Sequence, residues 1–101
     1  LGRTEKDIQK SGEQFVSVEN SMGIVHQSRG QLKPASLELL SEPMIVARLA
    51  EAVLTPHPSF EWLKWVENYD LIRNLIEKTI PGFENYNQRI RQDGGFYLPN
   101  A

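Results

Sequence analysis

A chain of 101 residues with a formal net charge of −2 holds at most one small domain, and its interspersed signs offer no charged surface to nucleic acid or an anionic membrane. The absence of cysteine excludes disulfides, thiolate metal sites and iron–sulfur clusters. Hydrophobic residues make up 40% of the chain, low for a self-sufficient core but well above a disordered composition. No apolar run approaches the roughly 20 residues that a spanning helix needs, and no signal peptide is visible. The default expectation is therefore a cytoplasmic protein. The start at Leu1 reads as a piece of a larger gene product or a processed chain.

Residues 1–12 are polar; Thr4 caps a short turn through Lys10, closed by Gly12. Residues 13–36 read as a β-hairpin region. Val16 and Val18 alternate with Ser17 and Glu19, the period-two signature of a half-buried strand. Asn20-Ser21-Met22-Gly23 is a turn cluster whose glycine tolerates positive φ. Ile24 and Val25 open the returning strand, which runs into His26, Gln27, Ser28 and Arg29 before Pro34 stops pairing. Pro34 to Leu40 is a connector, and residues 41–93 read as helical.

Ser41 is the expected N-cap of a helix reaching about Leu54, with Glu42 and Pro43 in its first turn. Ile45, Leu49, Ala52 and Val53 share one face, with Arg48 and Glu51 opposite, and Pro56 and Pro58 stop the helix. A second block opens after Ser59, with Phe60, Trp62, Leu63 and Val66 as its stripe, and breaks or kinks at Asn68 to Asp70. Leu71, Ile72, Leu75, Ile76 and Ile80 then form a helical face ending at Pro81-Gly82. A third block from Phe83 buries Phe83, Tyr86 and Ile90 and ends at Gly94-Gly95, and Phe96-Tyr97-Leu98 is a short strand or an extended edge segment before Pro99. The expected fold is α+β: a small hairpin followed by three or four helices in two layers. Trp62, Trp65, Phe96 or Tyr97 is expected to cover part of a neighbouring domain.

The hairpin places Glu19, Asn20, Ser21, His26 and Arg29 within a short stretch suited to a polar ligand. Arg29 beside Gly30 has the fork geometry for a phosphate, or else forms an ion pair at the surface. His26 either contacts a ligand edge or bonds to backbone; Asn20 and Ser21 either bond a ligand or their own turn. No complete catalytic set is present. Glu13 and Glu19 have no histidine partner, the histidines are too far apart in sequence for a metal argument, and His57 lies in a solvated loop. Gly94-Gly95 is not a phosphate loop, and no nucleophile elbow exists. No catalytic and no metal-binding residue is assigned.

The blocks LGRTEKD, VSVENSMGIVHQSRGQLKPAS, SEPMIVARLAEAVL and PGFENYNQRIRQDGGFYLPNA, in that order, resemble molybdopterin-dependent oxidoreductases of the formate dehydrogenase type, specifically the formate dehydrogenase-related alpha subunits. The likeness spans nearly the whole chain and rests on the order and spacing of the blocks. It implies that residues 1–101 are a single late fragment of a larger α/β catalytic chain, preceding a C-terminal barrel-like domain. The implied cofactor is bis-molybdopterin guanine dinucleotide with molybdenum or tungsten in the full-length protein, with none bound to the fragment. It further implies two-electron oxidation of formate or a similar small substrate, with Arg29, His26, Asn20, Ser21 and Glu19 lining the cofactor pocket and the helices as scaffold. Partners are then the remaining domains of the same polypeptide and the small-molecule substrate, with no nucleic acid and no membrane. This chain reads Ser17-Val18-Glu19-Asn20 where better-known members carry a Thr-Asn-containing hairpin. The competing reading is a non-enzymatic α+β interaction module using the Trp62/Trp65 and Phe96/Tyr97 surfaces.

Overall fold

The computed structural model describes residues 14–29, 35, 36 and 38–99. The turn expected over Thr4 to Lys10, its terminator Gly12, and Glu13 and Pro34 lie outside the described residues. The described elements are β1 (Val16–Glu19), β2 (Ile24–Ser28), α1 (Glu42–Val53), α2 (Trp62–Glu67), α3 (Tyr69–Thr79), α4 (Tyr86–Arg89) and β3 (Phe96–Tyr97). This is the α+β arrangement that the pattern predicts, with a third strand added to the hairpin.

β1 and β2 pair antiparallel with Val16 opposite Ser28 and Glu19 opposite Val25. Gly23 takes the left-handed position of the connecting loop at φ 76°. Asn20 closes that loop from three sides. Its carbonyl accepts the Gly23 N–H at 3.1 Å. Its side-chain Oδ1 accepts the N–H groups of Met22 and Ile24 at 2.9 and 3.1 Å. β3 adds to the far side of β2, pairing Ile24 with Tyr97 and Val25 with Phe96. Leu98 then donates its N–H to the Gly23 carbonyl at 2.8 Å.

Strand alternation divides these residues between two faces. One face carries Phe15, Val25 and Phe96, which with Tyr86 and Ile90 form a first core cluster, flanked by Ile76, Phe83 and Leu98. Val16 lies on the other face and packs against a second cluster of Met44, Ala47, Val66 and Tyr69. The expected half-buried pair is therefore split: Val16 is half-buried and Val18 is exposed. The deep core of the sheet uses the opposite parity, where Ser17 bonds the Tyr86 hydroxyl at 2.6 Å.

Ser41 caps α1 as its sequence predicts, accepting the Met44 N–H on its hydroxyl at 3.1 Å. The buried face of α1 is not the expected one. Met44, Ala47 and Ala50 are buried, whereas Ile45, Leu49 and Val53 point to solvent. Small side chains let two helix backbones approach closely, so α1 turns its alanine side to the helices. The bulkier aliphatic stripe is left outside. The same correction applies after Ser59: Phe60 and Leu63 are exposed, and Val66 is the buried residue of α2.

Asn68 breaks the second helical block outright. Its backbone is extended at φ −145°, and its Oδ1 accepts the Asp70 N–H at 3.0 Å, capping α3. Gln14 fills the junction: its amide donates to the Val66 carbonyl at 3.1 Å and accepts the Tyr69 N–H at 2.6 Å. These are groups a helix end leaves without intrahelical partners. In α3 the fully buried residues are Tyr69 and Arg73; Ile72 and Ile76 are half-buried, and Leu75 and Ile80 are exposed. The third block is a single turn, and it buries Tyr86 and Ile90 as expected, with Phe83 half-buried. Between β1 and helices α1 to α3 opens a groove of about 750 Å³, lined by Val16, Val18, Val46, Trp62, Tyr69 and Leu75 among others. Among the described residues, no helix is long and apolar enough to cross a membrane.

Candidate functional site

Polar chemistry concentrates where β2 ends. Phe15, one residue before β1, presents its ring to three guanidinium groups. The Cζ atoms of Arg73, Arg29 and Arg91 stand 4.0, 4.9 and 5.1 Å from the ring centroid. Guanidinium groups over an aromatic face are attracted by the ring quadrupole. Three parts of the chain supply them: the end of the hairpin, the middle of α3 and the segment after α4.

Asp70 organises two of the three. It accepts Arg73 Nη1 at 2.8 Å, and both its oxygens accept Arg91 Nη2, at 2.9 and 3.0 Å. Arg73 is 4% exposed and also donates Nη2 to the Phe15 carbonyl. Its Nε is buried without a hydrogen-bond partner. Burial pushes the Arg73 pKa down from its ordinary value, and Asp70 pulls it back up. An arginine remains charged through such a shift. Arg91 donates Nη1 to the Asn87 carbonyl at 2.9 Å, and Asn87 in turn donates to the Asp70 carbonyl at 3.0 Å. Arg29 donates Nε to Gln27 Oε1 at 3.2 Å, while Gln27 donates its amide to the Ile90 carbonyl at 3.0 Å. The exposed Arg29 is thus tied through Gln27 to the most deeply buried residue of the core.

The sequence-derived candidates do not converge. Arg29 belongs to this cluster. His26 projects from the opposite face of the sheet, one alternation away from Gln27. It is half-buried, and its Nδ1 lies 3.0 Å from the Gln27 carbonyl. Because a carbonyl only accepts, Nδ1 is the donor in that contact. Glu19, Asn20 and Ser21 sit at the other end of the hairpin, about 10 Å of ladder from the Ser28 rung. There Asn20 is committed to closing the turn, the outcome its residue type favours. His57 is exposed in its loop, with Nδ1 accepting the Ser59 N–H at 3.1 Å.

Sequence reasoning passed over Asp70, Arg73 and Arg91. The Asp70–Arg73 spacing of three on a helix is a recognisable ion-pair signal. Nothing local in the sequence links either residue to Arg91 or to Phe15. Among the described residues no group of histidine, aspartate and glutamate is placed to hold a metal ion. The cluster therefore sets the exposed guanidinium of Arg29 beside Phe15, Arg73 and the Arg91–Asp70 ion pair, a planar cationic group of the kind suited to an oxyanion.

Comparison with known proteins gives relatives of much greater length. The chain is 55% identical over all 101 residues to protein YdeP of Shigella flexneri. It is 54% identical over the same span to protein YdeP of Escherichia coli. It is 42% identical over 100 residues, 99% of this chain, to a protein of Mycobacterium tuberculosis named as an uncharacterized oxidoreductase. No family model matches, and no solved structure is significantly similar. The chain spans 13% of the length of each of these relatives.

Proposed function

We propose that this chain is a section of a larger molybdopterin-dependent oxidoreductase resembling formate dehydrogenase, and that it serves there as scaffold and as part of the cofactor-pocket wall. The oxidoreductase part is supported by the name that the mycobacterial relative carries and by the extent of the match. The pterin and formate parts are supported by the order of sequence blocks described above. The observation that carries the wall assignment is the guanidinium cluster at the end of the hairpin, with Arg29 and Arg91 exposed around Phe15.

The donor set fits a phosphate-bearing cofactor. The planar fork of Arg29 matches phosphate oxygens, and a chain without cysteine leaves ligation of the metal to other parts of the polypeptide. When bound, a molybdopterin guanine dinucleotide supplies the two-electron chemistry. This chain's residues do the holding. Arg29 binds and orients a phosphate, Gln27 fixes the Arg29 guanidinium plane, and Asp70 fixes that of Arg91. His26 would meet a ligand only on the other sheet face. Glu19, Asn20 and Ser21 would form a separate contact at the turn. A cytoplasmic setting belongs to the same reading.

The test is metal and pterin analysis of the full-length gene product purified from its native host. Stoichiometric molybdenum or tungsten together with pterin guanine dinucleotide is the expected result and justifies a formate-oxidation assay. A folded protein with neither turns the balance to an interaction module. Within the enzyme, Arg29→Ala should lower cofactor content without unfolding the protein; unchanged occupancy removes Arg29 from the pocket.

A further inference from the structure

The outer face of α1 and the groove beside it make one apolar surface. At 100° per residue, Ile45, Leu49, Val53 and Val46 fall within a single arc of the helix, with Val46 at its edge on the groove side. Leu49 is 61% exposed, Val53 68% and Val46 59%. Across the loop, Phe60 stacks on Trp62 at 5.6 Å, and Trp62 meets Trp65 edge-on at 5.2 Å. Both tryptophans are only half-buried and both line the groove. An apolar surface this continuous marks a binding face.

We infer that this surface seats an apolar segment, helical or extended, of the same longer polypeptide. Four observations select that occupant. The relatives are several times longer than this chain and match it over 13% of their length, so most of the polypeptide that could fold against it is outside these residues. Residues 1–13, LGRTEKDIQKSGE, carry six charged side chains and only Leu1 and Ile8 as large aliphatics, a composition with few apolar anchors to offer such a surface. A charged small ligand would find a single charged lining side chain, Glu42 at the start of α1, with the hydroxyls of Ser17, Ser41, Tyr69 and Thr79 beside it. The apolar arc also continues past the groove onto Ile45, Leu49 and Val53, farther than a small molecule reaches. The seated segment therefore presents aliphatic or aromatic anchors to Val46, Trp62 and Trp65, with a basic group toward Glu42. This inference rests on the reading of the chain as a section of a longer polypeptide. That reading fails separately, if the intact native product has a mass near 11.6 kDa.

The experiment uses full-length polypeptide carrying Val46→Cys or, as an exposed control, Met22→Cys, each on a background without other reactive cysteines. Maleimide labelling under native conditions is expected to be at least tenfold slower at position 46 than at position 22, and to stay slow as the protein is diluted. Equal rates would overturn the inference. Protection that is lost on dilution would assign the surface to a second copy and overturn it equally. Protection that is lost on removing bound small molecules would do the same in favour of a ligand. Should Val46→Cys fail to fold, Leu49→Cys reads the same surface.

Discussion

The two halves of this molecule solve the same problem to different degrees. Around the hairpin the core is closed: Phe15, Val25, Tyr86, Ile90 and Phe96 are all buried, and Ile90 has no exposed surface at all. Around α1 to α3 the buried set is Met44, Ala47, Val66 and Tyr69, and the larger aliphatic and aromatic side chains beside it remain open. The difference is one of reach. The sheet is covered by a segment that returns to it, residues 83–98, whose strand β3 pairs with β2 and whose aromatics pack edge to face at 5.7–6.1 Å. No described segment returns over the outside of α1. Among the described residues one region is finished and the other leaves an unfilled surface.

The strongest way to break the closed half is at Gly95. Its φ is +72°, and a Cβ there would lie 1.9 Å from the Val25 carbonyl oxygen, so the chain after α4 touches the β2 backbone directly. Gly95→Ala should cost at least about 3 kcal/mol, the upper end of overpacking losses with backbone strain added. Chemical denaturation reads it, and a variant within about 0.5 kcal/mol of the parent would mean that the tail does not lie against β2. Ile90→Ala comes next, expected to cost about 2–5 kcal/mol as a cavity in a region with no slack. A smaller loss would show that the first cluster can collapse around the gap. Ser41→Ala acts on the open half by removing the cap of α1, and about 1 kcal/mol is the ordinary cost. Because α1 packs on one side only, its amide exchange should quicken while that of β2 does not.

How much of this was legible in the sequence follows the same division. The hairpin, its glycine turn, the Ser41 cap, an interruption (break or kink) over Asn68 to Asp70 and the extended Phe96-Tyr97 segment all come from local chemistry, and local chemistry decides them. Burial was misread where it depends on partners far along the chain. Ile45, Leu49 and Val53 form a better apolar stripe than Met44, Ala47 and Ala50, yet the second set is buried because only the alanine side allows close approach. Of Trp62, Trp65, Phe96 and Tyr97, the four alternatives for covering a neighbouring domain, Phe96 belongs to the chain's own core and Tyr97 beside it is exposed. The guanidinium cluster was half visible. Arg29 stood out beside its glycine, but Arg73 and Arg91 join it only through tertiary placement on Phe15.

The smallest expected effect is the most informative about the open half. Leu49 points outward from α1, so Leu49→Lys in the chain by itself removes little buried surface and should change stability by no more than about 0.5 kcal/mol. Lysine is also a good helix former, so α1 itself loses nothing. In the full-length polypeptide the same substitution places an ammonium group under whatever covers α1, where a charge without a partner is costly. The two measurements together separate intrinsic folding from cover. A near-zero change in the short chain with a marked fall in melting temperature of the long one means that the stripe is core material for the larger protein. A near-zero change in both would mean that α1 faces solvent throughout. A large loss in the short chain would mean that Leu49 is held by contacts within these residues, and the contrast between the closed and the open half would not stand.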